Sequence, residues 1–325
     1  MDSVKTAPEK APVTKKQKPL KAGPLKTFLA NWELLLLCVP SVVLNLVFHY
    51  IPLTGIIMAF KDYNLRKGIW GSDWAGFVNF KMMFMSTDFP KLLRNTVCYS
   101  LWFLFIGMVA NVIVALLLFE INNKTCLKVY QTIITFPNFL SMVIVGFITF
   151  AILHPQQGFL NSILVMFGGE HGAFDVYGKP GVWPFILTVV NIWKGVGMGC
   201  ILYYANLIGI DTTLYEAAVI DGANRWQQTW HISLPSLIPL IAIQLIMGVG
   251  STFNTGLDLF YQIPRNQSIL YETTDVIATY IYRGLTGSNY EMSTALGLMQ
   301  SVAGLFMVVG VNAVVRKISP ENSMF

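Results

Sequence analysis

Six stretches of this chain are long and apolar enough to cross a hydrocarbon core, and no other feature restricts the fold so strongly. They cover roughly 34–58, 95–119, 130–153, 183–207, 237–260 and 292–315, each near the ~20 residues that a bilayer demands of a helix. Lipid offers the backbone no hydrogen bonds, so spanning segments are helices or closed barrels, and these runs are far longer than barrel strands. Composition agrees: 54% of residues are hydrophobic and 12% charged, against about 25% charged in an average soluble domain. The sequence predicts an all-α integral membrane protein with six transmembrane helices.

Residues 1–30 carry seven lysines among Pro, Ala and Thr, a composition that predicts a disordered basic tail, with residues 31–325 forming the membrane domain. The apolar run that follows is too long for a signal-peptide core and has no small-residue cleavage site after it, so it reads as a retained first helix. With the N-terminus inside, the inner side holds twelve Lys and Arg and the outer side nine. That modest bias places both termini in the cytoplasm. The outer segment FKDYNLRKGIWGSDWAGFVNF is rich in Gly, aromatics and amides and reads as a structured surface. KMMFMSTDF (81–89) reads as an amphipathic helix at the membrane interface, with a receptor-docking surface as the other reading. Cys38, Cys98, Cys126 and Cys200 are widely spaced and show neither metal-ligand nor disulfide-framework spacing.

The inner loop at 208–236 contains EAAVIDGANRWQQTWHISLP. Thr213 lies three residues before Glu216, the spacing of a capping box that starts a helix. Leu214, Ala217, Ala218 and Ile220 then offer small and apolar side chains until Gly222 breaks the helix. A second short helix is expected over about 223–231, ending before Leu234-Pro235, with the proline opening the fifth membrane helix. A rigid, partly apolar helix pair is the expected product, shaped to fit into something else.

At this point the residues match a family. Glu216-Ala217-Ala218, then Gly222, then Ile232, Leu234 and Pro235 resemble the complete EAA-x3-G-x9-I-x-LP motif of bacterial ABC importer permeases. The resemblance implies a six-helix type I permease fold in which this loop is a coupling helix, seated in a separate ATPase subunit. Glu216, Ala217, Ala218, Gly222, Ile232, Leu234 and Pro235 take the motif positions. It further implies a heterodimer with a second homologous permease, two ATP-binding subunits, an extracytoplasmic sugar-binding protein and a place in the bacterial inner membrane. ATP and Mg would be bound by the partner ATPase, leaving no cofactor in this chain, and nothing points to nucleic acid. The only Gly-Lys here, Gly178-Lys179, is followed by Pro180 and lacks the first P-loop glycine, where Ala173 stands.

The segments FHYIPLTGIIMAFKDYN and YETTDVIATYIYRGL look like those of permeases for oligo- and polysaccharide-derived sugars, including alginate importers. In that family the cargo route is lined from the C-terminal half, which singles out Asn191, Trp193, Lys194, Ser251, Phe253, Asn254 and Asp258. Aromatics and amides there suit sugars. Lys194 and Asp258 are costly inside a membrane helix. They either pair with each other or lie near the outer interface, or Lys194 faces the cavity and favours acidic cargo. A stand-alone carrier or channel is the alternative, but Lys194, Asp258 and His49 are a thin supply of titrating groups for ion coupling. An enzyme is disfavoured because His49, His154, His171 and His231 are scattered and neither HExxH nor GxSxG is present.

Overall fold

The computed structural model describes residues 32–170, 175–250, 252–253 and 256–318. The basic tail, His171, Ser251 and Asn254 lie outside those residues. The chain divides into two units, one up to Thr54 and one from Gly55 onward. The first is helical: α1 (Trp32–Asn45) is mostly apolar, and its residues from Leu36 onward are exposed on every side, the pattern of a helix that faces lipid. Among the described residues, five spans are long and apolar enough to cross a membrane, and a bent helix pair brings the total to six. The sixfold reading therefore holds, with two corrections of detail.

The first correction concerns the third span. It is broken into Lys124–Phe139 and Met142–Leu153, set at 98° to one another. These contain α4 (Lys124–Thr135), a 3-10 turn over Phe136–Phe139, and α5 (Met142–Leu153). Pro137 sits in that turn, and Ser141 caps α5 by accepting from the Ile144 N–H at 3.3 Å. Hydropathy averages across such a break, which is why one straight helix was expected.

The second concerns the fifth span. It was expected over 237–260 but runs from Arg225 to Gly250, beginning as α8 (Arg225–Gln228), passing through a π turn at Thr229–Ser233, and continuing as α9 (Leu234–Gly250). Pro235 therefore does not start a fresh helix. The wider turn relieves the clash of the proline ring with the preceding turn, and Leu234 keeps helical angles, φ −66° and ψ −44°. The Ile232 carbonyl also accepts from Ser236 Oγ at 2.7 Å. Beyond Gly250, α10 (Leu257–Gln262) is a separate short helix.

The remaining long helices are α3 (Asp88–Phe119), α6 (Trp183–Ile208) and α12 (Tyr290–Ile318). The most extensive packing joins α3 to α6. One cluster buries Val112, Ala115, Leu118, Cys200, Tyr203, Leu207 and Leu237. A second, toward the other end of α3, gathers Tyr99, Trp183, Leu187, Phe260 and Ile263. Lipid is as apolar as these side chains, so close packing rather than escape from water holds the bundle together. Gly197 shows the requirement: any Cβ there would run into the Ile134 carbonyl of α4.

Between the fifth and sixth spans, α11 (Ile277–Thr286) and the chain before it are stitched to α3. Asn95 donates to the Asp275 carbonyl at 2.9 Å, Tyr99 to the Thr273 carbonyl at 2.8 Å, and Thr96 Oγ1 accepts from the Ile277 N–H at 3.0 Å. The buried Asp275 carboxylate meets Arg283 at 2.6 Å. The segment after the first span is likewise structured, as expected. β1 (Lys61–Asp62) pairs antiparallel with β2 (Asp73–Trp74), and buried Lys61 donates to the Trp70 and Ser72 carbonyls at 3.1 and 3.2 Å. In the helix that follows, α2 (Val78–Met85), Met83 is buried while Phe84 and Met85 point outward.

Candidate functional site: the patterned loop and the membrane cavity

Within the patterned loop, α7 (Thr212–Ile220) is capped two residues earlier than expected. Its cap is Asp211, whose Oδ1 accepts from the Thr213 N–H at 3.0 Å. That bond holds the exposed Asp211 carboxyl below its ordinary pKa. The Thr213–Glu216 capping box therefore does not form: Glu216 lies beyond the third helical position and cannot reach back. Its carboxylate is exposed and, among the described residues, has no hydrogen-bond or ion-pair partner. The reciprocal box forms in the next helix, where the Asn224 N–H donates to Gln227 Oε1 at 2.8 Å and the Gln227 N–H to Asn224 Oδ1 at 2.9 Å.

Gly222 ends α7 as expected, at φ +81°, a left-handed conformation that glycine adopts without steric cost. Gly222 N–H donates to the Val219 carbonyl at 3.1 Å and Ala223 N–H to that of Ala218 at 2.8 Å, the paired bonds of a Schellman cap. A cleft of about 340 Å³ between α7 and α8 is lined by Ala218, Gly222, Gln227 and His231. Leu214, Val219, Ile220 and Trp226 are exposed, Ile220 at 86%.

This pair of helices is fastened to the membrane helices at its base. Tyr215 hydroxyl and Ser233 Oγ lie 2.9 Å apart, joining α7 to the root of α9. The Tyr215 ring also meets Phe119, at the end of α3, with centroids 5.8 Å apart. Ala217 is exposed, Ala218 and Ile232 are half-buried, and Leu234 and Pro235 belong to the helix that carries the loop into the bundle. α7 is thereby in direct contact with two spans.

The membrane part contains a cavity of about 460 Å³ between α3, α6 and α9, lined by Phe103, Asn111, Asn191, Gly199 and Gln244. A second, of about 440 Å³, shares Phe103 and Asn191 and reaches Thr252, Asp258 and Phe260. Of the expected route residues, Asn191 and Asp258 line these cavities. Trp193 lies two positions from Asn191, hence on the opposite face of α6, and is 43% exposed. The Phe253 carbonyl accepts from the Gln300 side chain. Asn111 and Gln244 escaped the sequence reading although the same signal, an amide inside an apolar run, had drawn attention to Asn191.

Lys194 neither pairs with Asp258 nor lines either cavity. Its Nζ donates to the carbonyls of Leu140 at 2.7 Å, Asn138 at 3.0 Å and Pro137 at 3.5 Å. These are acceptors exposed where the third span breaks, and a cation is the natural group to satisfy them. The ammonium is thus committed to the helix break, which removes the argument that it attracts acidic cargo.

Residues 104–320 match the model of the binding-protein-dependent transport system inner membrane component family. The chain belongs to this family. It is a multi-pass inner-membrane permease of the ABC importer class, not itself an enzyme. Among curated relatives, it is 37% identical to Protein LplB of Bacillus subtilis (strain 168), over 89% of this chain and 90% of that one. It is 35% identical to the polygalacturonan/rhamnogalacturonan transport system permease protein YteP of the same organism, over 89% of both chains. Among solved structures, it matches a chain of a bacterial alginate ABC transporter in complex with an alginate pentasaccharide-bound periplasmic protein. The TM-score is 0.78 at 34% identity, covering 91% of this chain and 98% of that one.

Proposed function

We propose that this permease serves ATP-driven, binding-protein-dependent import of oligosaccharides, with fragments of acidic polysaccharides as cargo. The observation that carries the coupling part is the rigid helix pair at 212–228, which leaves Glu216 unpartnered and Ile220 exposed while Tyr215 ties it to two membrane helices. Such a knob suits a groove on a separate ATPase, where ATP and Mg would be held. Closure of two ATPases would push on α7 and open or shut the cavity lined by Asn191. The loop would then lie in the cytoplasm together with both termini, and the segments at 61–87 and 256–289 would face the receptor.

Phe103, Asn111, Asn191 and Gln244 give the cavity an aromatic face and several amides, a chemistry matched to sugar rings and hydroxyls. With one wall supplied by this chain, a second, homologous permease would supply the other. The acidic character rests on the relatives, since polygalacturonan and alginate are both built from uronic acids. The test is ATPase activity in proteoliposomes holding this chain, its partner permease and their ATPase. Receptor charged with uronate oligomers should stimulate hydrolysis several-fold. Stimulation by neutral oligomers alone would contradict the acidic cargo.

A further inference from the structure

A third cavity, of about 190 Å³, lies between α5 and α10 and is lined by Gly146, Phe147, Tyr261, Gln262, Arg265 and Asn266. Its position connects it to the route. Met142, Leu259 and Phe260 line the second membrane cavity, and their neighbours Val143, Tyr261 and Gln262 line this one. The same two helices therefore wall both spaces. Because it follows the fifth span, α10 is at the end of that span remote from the patterned loop.

The chemistry of the cavity is specific. The Arg265 guanidinium lies over the Phe150 ring at 4.1 Å and the Phe147 ring at 5.4 Å, a stacked arrangement that holds the fork in place and leaves its N–H groups to donate. Among the described residues no carboxylate is within ion-pair distance of it. Nearby cations are different: Arg283 is matched by Asp275 and Arg94 by Glu272. Tyr261 packs edge-on against Tyr282 at 4.8 Å, an aromatic platform of the kind that sugar rings stack upon. Gln262 adds an amide, as does Asn266, whose Oδ1 already accepts from the Tyr271 hydroxyl at 2.9 Å and from Arg283 at 3.4 Å, leaving its NH2 group to donate.

The backbone carries a second, independent indication. Arg265 and Asn266 stand at φ +56° and +50°, where the Asn266 N–H closes the end of α10 onto the Tyr261 carbonyl at 3.2 Å. Asparagine tolerates this region, but an arginine there is strained and glycine would be the economical choice. An arginine placed against its backbone preference points to a role for the side chain.

Resting on the importer reading above, we infer that Arg265 forms a carboxylate subsite for a single uronate unit at the receptor-facing end of the route. The guanidinium would grip the carboxylate in a two-pronged hydrogen bond, with Tyr261 beneath the ring and Gln262 and Asn266 toward its hydroxyls. The cavity is sized for one sugar ring, so it would read cargo unit by unit as the chain passes.

The test uses the full transport complex in proteoliposomes with receptor charged with galacturonate or mannuronate oligomers. Arg265→Gly relieves the left-handed backbone and removes the charge; Arg265→Lys keeps the charge but not the fork. The expected result is a fall of about tenfold in cargo-stimulated uptake for the glycine variant, a smaller fall for lysine, and basal ATPase activity and melting temperature at least equal to wild type. Loss of melting temperature and basal activity together in the glycine variant would overturn the subsite in favour of a packing role. Wild-type uptake in Arg265→Gly would overturn it outright. If wild type responds to no charged receptor, acidic or neutral, the importer reading fails instead; if it responds only to neutral oligomers, the acidic cargo and this subsite fall together.

Discussion

A single side chain can decide whether a broken membrane helix is stable, and Lys194 is that residue here. The 98° bend at the third span leaves carbonyls without helical partners in an environment with little water to satisfy them. From α6, Lys194 donates to the Asn138 and Leu140 carbonyls at 3.0 and 2.7 Å, and at 3.5 Å to that of Pro137, which the Leu140 N–H already meets. Replacing it by Met keeps much of the apolar stem but removes the donors. Lys194→Met should cost about 2 kcal/mol, the scale of leaving buried acceptors unsatisfied by a charged donor, read as a drop of several degrees in the melting temperature of the purified complex. Uptake should fall for acidic and neutral cargo alike, since this ammonium supports the frame and not the cargo. The residue was conspicuous in the sequence as a charge in an apolar run; its partner was not, because a break caused by Pro137 and a 3-10 turn leaves no trace in hydropathy. Gly222 is the opposite case: its left-handed φ follows from its place at the end of a short amphipathic run, and the sequence was enough.

Among the elements, the patterned loop was the most legible and the cavity walls the least. Two short helices hinged at Gly222 followed from turn chemistry. The details that shifted, an Asp211 cap in place of Thr213 and a π turn in place of a clean proline start, were contests between neighbouring local options that spacing alone does not decide. The cavity depends on which faces of α3, α6 and α9 meet, information that resides in packing between distant segments. Under the proposed function, the join that would matter most for coupling is the one between loop and bundle, where Tyr215 meets Ser233 and Phe119. Tyr215→Phe removes only the hydroxyl and with it the link to the root of α9. The expected outcome is an assembled, ATP-hydrolysing complex whose sugar uptake per ATP falls two- to five-fold, about the effect of a lost hydrogen bond of roughly 0.5–1 kcal/mol. Unchanged uptake per ATP would assign the transmission to the ring contact with Phe119.

Within the unit from Gly55 onward, cavities lie between α3, α6 and α9, and under the proposed function this chain would supply one wall of the route. The network of Asn95, Tyr99, Asp275 and Arg283 ties the chain before α11 to α3; under the proposed function, movement imposed at α7 would be transmitted along α3 and α9. The central claim is that this movement comes from a separate ATPase through the exposed face of α7. Glu216 is the residue on which to test it, because its carboxylate has no partner within the described chain, so its loss should leave the permease fold unchanged. The most direct measurement compares receptor-stimulated ATPase activity of proteoliposomes carrying wild type or Glu216→Ala with their partner permease and ATPase. The account predicts that the variant inserts and melts like wild type while stimulation by cargo-loaded receptor falls at least tenfold. Full stimulation in the variant, or the failure of wild type to assemble with any ATPase, would contradict it.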